Sequence, residues 1–159
     1  MPYNLRLQPD GLMDYLDEPM ERDYGSHHAS AVYLYMDFQK MEARLATAGH
    51  PSVLYSPGGA PFREVRTTGA VLGYNIRRPV APTQEMKSSP GDRFIVYTDG
   101  LVEYNLHGGG IGEAEMEEVL AGLERHNGDL VSTVLERIKG GRGFHSFRDD
   151  VMVALLEIK

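Results

Sequence analysis

Three aspartates stand where strand-like segments end or begin. Asp99 directly follows residues 93–98 (RFIVYT), and Asp149 and Asp150 directly precede residues 151–158 (VMVALLEI). Strand ends fix backbone positions firmly while leaving side chains at a rim that a ligand can reach. Carboxylates at such a rim can share a hard cation. Mg2+ and Mn2+ take oxygen ligands in octahedral geometry and keep several waters, so a few Asp side chains from distant segments suffice. With two ions side by side, a bridging water loses a proton and attacks phosphorus while the metals neutralise the phosphoryl oxygens, which is phosphate ester hydrolysis. The same residues also have a purely architectural reading. Asp-Gly after a strand is a common turn, and Asp-Asp before a strand caps a loop or blunts a sheet edge. Spacing leaves both readings open.

Other polar residues point less sharply. His27 and His28 are neighbours, and neighbours on an extended chain face opposite sides, so solvent exposure is expected rather than joint ligation. Glu103 is read as the polar residue leaving a strand, against a role in orienting a water. The glycine runs at 108–110 and 140–141 show neither GxxxxGK[ST] nor a strand-loop-helix GxGxxG, which makes them flexible loops open to partner recognition.

The elements that must position these residues follow from periodicity. Leu12, Leu16 and Met20 repeat every four residues, which predicts a helix over residues 9–20 with Asp10 as N-cap and Pro19 marking the end. Residues 29–37 (ASAVYLYMD) read as a strand buried on both faces, joined by a turn at 38–40 to an alternating strand at 41–48. A second hairpin is expected from residues 52–55 and 62–66 around Ser56-Pro57-Gly58-Gly59. Residues 67–82 read as an irregular connection and 84–87 as a short strand. Pro90-Gly91-Asp92 is a turn before the central strand at 93–98. Helical spacing returns at Met116, Val119, Leu120 and Leu123, and again at Val131, Val134, Leu135 and Ile138 behind an N-cap at Asp129. Hairpins together with separate helical runs give an α+β class with mainly antiparallel sheet.

Composition narrows the functions. The 159 residues suit one domain, and 42% apolar residues suffice for a core. The 16 Lys and Arg against 23 Asp and Glu leave a net charge of −7, which argues against nucleic-acid binding. With no cysteine, disulfides, thiolate zinc sites and a Cys nucleophile are excluded, and a cytoplasmic setting fits. The longest apolar run, residues 151–156, is far below the roughly 20 residues of a membrane span, and the acidic N-terminal stretch does not read as a signal peptide.

Residues 29–34 (ASAVYL), 46–51 (ATAGHP), 69–73 (GAVLG), 90–103 (PGDRFIVYTDGLVE) and 147–155 (FRDDVMVAL) together resemble, in order, the metal-dependent protein phosphatases of the PPM (type 2C) class, SpoIIE/RsbU-like branch. The resemblance implies an antiparallel β-sandwich flanked by helices. It implies hydrolysis of phosphoserine or phosphothreonine on a regulatory protein of the anti-sigma-factor antagonist type, with two Mn2+ or Mg2+ ions and a metal-activated water as nucleophile. Asp99 of YTDG and Asp149 match the family's metal-binding aspartates, and Asp150 would support them as their neighbour. His50 of AGHP becomes a turn-fixing or hydrogen-bonding residue, because the family's ligands are carboxylates. The family's upstream G-D-x-x-G-[HK]-G stretch, which carries its first metal aspartate, has no counterpart, and Asp10-Gly11 reads as the start of a helix. Residues 1–159 therefore match roughly the C-terminal two-thirds of one family domain, with the first strands missing. Two expectations follow. The chain alone should hydrolyse phosphate esters weakly or not at all, and an open sheet edge, residues 29–37 included, should favour a homodimer through strand pairing or swapped elements. The competing expectation is a non-catalytic regulatory or protein-binding module that keeps the phosphatase fold.

Overall fold

A computed structural model describes residues 3–25, 27–67, 69–74, 82–102, 119, 129–140, 144 and 146–159. Its strands are β1 (Ala31–Asp37), β2 (Glu42–Ala48), β3 (Val53–Ser56), β4 (Arg63–Val65), β5 (Gln84–Lys87), β6 (Arg93–Tyr97) and β7 (Val153–Glu157), and its helices are α1 (Pro9–Tyr24) and α2 (Leu130–Gly140). They form two antiparallel sheets, of order β1-β2-β5 and β4-β3-β6-β7, so the α+β class holds. The chain divides into two units, Met1–His50 with Arg66–Ser88 and Pro51–Val65 with Ser89–Lys159. Apart from Val119, the helix expected around Met116, Leu120 and Leu123 lies outside the described residues, as do Glu103 and Gly108 to Gly110. Among the described residues no helix is long and apolar enough to cross a membrane.

In the first unit, β1 and β2 form the expected hairpin, in register from Ala31 opposite Ala48 to Asp37 opposite Glu42. Its turn is an Asx-turn: Asp37 Oδ1 accepts the N–H groups of Gln39 and Lys40, both at 3.0 Å. The short, polar β5 stays on β2 by directly opposed charges, Lys87 with Glu42 at 2.6 Å and Arg44 with Glu85 at 3.1 Å. The core beneath combines Met13 of α1 with Ala46, Ala48 and Leu72, and Met20, Ala31 and Tyr33 pack against it.

Two expectations for this unit are corrected. The helix starts at Pro9 as expected, but Gln8 and not Asp10 stands at the cap position, Asp10 lies inside the first turn, and the helix runs past Pro19 to Tyr24. Proline removes one N–H from the helix ladder but leaves the following turn intact when tertiary contacts hold it. Here Met20 packs on the core, and Asp17 Oδ1 accepts the N–H of Gly73 at 2.6 Å. The second correction concerns β1. It is the edge strand of its sheet, and all seven residues are only partly buried, so its continuous apolar run does not mark a central strand.

In the second unit the hairpin β3–β4 and the strands β6 and β7 complete a four-stranded sheet. Leu54 and Ile95, paired across β3 and β6, and Tyr97 join Leu101 and the α2 residues Leu130, Val134 and Ile138 in one core cluster. Asp129 caps α2 as expected, Oδ1 accepting the N–H groups of Val131 at 3.1 Å and Ser132 at 3.4 Å.

Candidate functional site

The pairing of β6 with β7 ends at Tyr97 opposite Val153, which leaves Thr98 facing Met152 just before the three aspartates. The Thr98 N–H still donates to the Met152 carbonyl at 3.0 Å, as a ladder residue would. Its own carbonyl is diverted. It accepts the N–H of Leu101 at 3.0 Å and so opens the 3-10 turn Asp99–Leu101. The hydroxyl takes over instead: Oγ1 accepts the Met152 N–H and donates to the Asp150 carbonyl, both at 2.9 Å. The chain thus leaves the strand at Asp99 while the Asp150 to Met152 backbone stays docked.

Gly100 brings the two segments closer. A Cβ there would lie 2.6 Å from the Asp150 carbonyl oxygen and 3.1 Å from that of Asp149, so the absence of a side chain is what permits the approach. Buried Leu101 anchors the turn in the core. The aspartates themselves are exposed. Each ligand candidate turns one oxygen back onto the next peptide, Asp99 Oδ1 accepting the Gly100 N–H at 3.0 Å and Asp149 Oδ1 the Asp150 N–H at 2.7 Å. The Asp150 backbone N–H thus fixes one oxygen of Asp149. Among the described residues neither Asp99 nor Asp149 forms an ion pair with Lys or Arg.

Such a set, anionic and all-oxygen, suits a hard divalent cation and suits a soft or redox-active metal poorly. It is an open set. Among the described residues no three or more His, Cys, Asp or Glu side chains surround a common point in a way that could hold a metal ion. Two carboxylates from adjoining loops would leave most of an octahedral shell to water.

The remaining candidates lie elsewhere in the fold. Asp10 sits in the first turn of α1, where its Oδ1 accepts the Gly11 N–H at 2.9 Å and its own N–H donates to Thr83 Oγ1 at 3.2 Å. His27 and His28 are both exposed and face different partners: His27 Nδ1 lies 2.9 Å from the Tyr24 carbonyl, and His28 meets the Tyr74 ring edge-on. His50 follows Gly49, whose positive φ of 58° and N–H bond to the Gly69 carbonyl shape the turn after β2.

Sequence reasoning missed Thr98 and Gly100 as positioning elements, although both stand inside the YTDG motif. It also took Asp92 as a turn residue only. Asp92 is buried, and its carboxylate accepts the Tyr55 hydroxyl at 2.8 Å, the Gly58 N–H at 2.7 Å and the Ser89 N–H at 2.9 Å. Burial first, and the bond to Asp92 second, push the Tyr55 hydroxyl up to about 12. The turn from Ser89 to Asp92, closed by the Asp92 N–H on the Ser89 carbonyl at 3.1 Å, was legible in Pro90-Gly91-Asp92. The bonds to Tyr55 and Gly58 span 37 and 34 residues and leave no local signal.

Comparison with known proteins extends this geometry. The family model described as Stage II sporulation protein E (SpoIIE) matches residues 3–159. Among curated proteins none matches the chain. Among solved structures, the SiaA-PP2C domain of Pseudomonas aeruginosa is similar at a TM-score of 0.77, with 20% identity over 96% of this chain. The RsbU and RsbW domains of a Mycobacterium tuberculosis protein are similar at 0.73, with 28% identity over 94%. The phosphatase domain of the cell fate determinant SpoIIE from Bacillus subtilis, presoaked in Mn, is similar at 0.62, with 18% identity over 82%. This chain spans 60%, 42% and 56% of the length of those three chains.

Proposed function

The chain belongs to the SpoIIE family and has the fold of its PP2C-type phosphatase domains, and from that premise we propose that it serves the hydrolysis of phosphoserine or phosphothreonine on a small cytoplasmic regulatory protein, of the kind that antagonises an anti-sigma factor. Mn2+ or Mg2+ is the ion, held by Asp99 and Asp149 with Asp150 in support. The observation that carries this reading is the seating of Gly100 against the Asp149 and Asp150 carbonyls, which makes neighbours of two loops remote in sequence. When bound, the cation supplies Lewis-acid polarisation of the phosphoryl oxygens and activation of water.

The side chains do the rest. The peptide N–H groups of Gly100 and Asp150 fix one oxygen of each carboxylate and so aim the other outward. By themselves, two carboxylates repel a phosphate dianion, so the cation is needed for substrate binding as well as for chemistry. With an open ligand set the chain alone turns over slowly. The test is Mn2+ titration of the wild-type chain and of Asp99→Asn, alongside release of phosphate from a phosphoserine protein. Saturable Mn2+ uptake that the substitution abolishes supports the site. Uptake unaffected by the substitution removes Asp99 from it. No uptake, with the regulatory protein still bound, favours the non-catalytic module.

A second copy of the chain is the proposed partner for the edge of β1 that no described strand pairs. Antiparallel pairing about Leu34 sets Tyr33 opposite Tyr35 and Val32 opposite Met36, with no like charges opposed.

A further inference from the structure

We propose that Thr98 is the positioning residue of the aspartate pair: its hydroxyl, standing in for its own backbone carbonyl, holds the Asp149 and Asp150 backbone beside Asp99. Three observations converge on one side chain. The Thr98 carbonyl is committed to the Leu101 N–H, so the Met152 N–H would lose its acceptor at the point where the chain turns away. Oγ1 supplies that acceptor at 2.9 Å and spends its proton on the Asp150 carbonyl at 2.9 Å. The same carbonyl is the group that leaves no room for a Cβ on Gly100. One hydroxyl thus sets both the distance and the lateral register of the two carboxylate-bearing loops. Serine can do the same. Valine, of equal shape, can neither donate nor accept.

The proposal needs the metal reading only where metal affinity is the readout, so two measurements on the full chain keep them apart. Amide hydrogen exchange of the metal-free protein reads the brace directly. In Thr98→Val the Met152 amide should exchange roughly tenfold faster, the loss of one hydrogen bond, while the Leu54 amide on β3 stays unchanged as the control for global unfolding. Thr98→Ser should match wild type. If valine unfolds the protein, Thr98→Ala, which removes the hydroxyl without crowding, should give the same local loss. Unchanged Met152 exchange in the valine or alanine variant, or a serine variant that behaves like valine, overturns the proposal. The second measurement is titration with Mn2+ alone. The valine variant should bind about tenfold or more weakly and the serine variant like wild type. Equal Mn2+ affinity in valine and wild type overturns the positioning role. A wild-type chain that takes up no Mn2+ overturns the metal reading instead, and the exchange data then decide on Thr98 by themselves.

Discussion

A methyl group on residue 100 would meet two backbone carbonyls rather than a pliable side chain. Gly100→Ala must therefore move one loop, and it is expected to cost about 1–3 kcal/mol in urea denaturation and to weaken Mn2+ uptake as well. The exposed aspartates should separate those two effects. Asp99→Asn and Asp149→Asn keep their turn bonds and should stay within about 0.5 kcal/mol of wild-type stability, while each lowers Mn2+ affinity by about tenfold or more. Asp92 behaves in the opposite sense. Asp92→Ala strands the Tyr55 hydroxyl and the N–H groups of Gly58 and Ser89, so about 3 kcal/mol or more of stability should be lost with no direct effect on the metal-facing oxygens. Tyr55 adds a pH signature. Burial and the bond to Asp92 push its hydroxyl from the ordinary 10.0 up to about 12, so the folded state holds the proton longer; the contribution is full below pH 10 and lost as pH rises towards 12. Urea midpoints should fall across that window for wild type, and less for Tyr55→Phe.

At the scale of elements, α1 carries its own defect. Pro19 removes a bond to the Tyr15 carbonyl in mid-helix. Pro19→Ala should raise stability by about 1–3 kcal/mol, read as a higher melting temperature. That proline also shows where sequence stops being informative. The hairpins were legible because Asp37, Pro57 and the glycines specify turns locally, and α2 was legible because Asp129 caps a periodic run. The end of α1 and the exposure of β1 were not legible. Both depend on what packs alongside, and a run of seven half-buried residues reads the same at an edge as in a centre. The site divides in the same way. Asp99 and Asp149 could be picked out as strand-end carboxylates, whereas the bonds from Thr98 to Asp150 and Met152 cross 52 and 54 residues and follow only from the β6–β7 register.

For the whole molecule, charge and edge act against each other. Each chain carries a net charge of −7, so two copies joined along β1 repel, and screening should favour the pair. Light scattering after size exclusion is expected to show a homodimer that tightens as salt rises, and Leu34→Lys, one charge facing its copy on the two-fold axis, should return it to monomer. A chain that stays monomeric at every salt concentration would mean the edge is covered from within. The two units also finish at different times on the ribosome. Every strand of the first sheet has been made once Ser88 is joined, but β3 and β4, made before β5, have no sheet to enter until β6 arrives, and the β7 edge comes only with the last residues. Through the synthesis of the intervening segment, Leu54 waits without Ile95. A chaperone or protease sampling the nascent chain meets in β3 and β4 a hairpin that is made but still without its sheet.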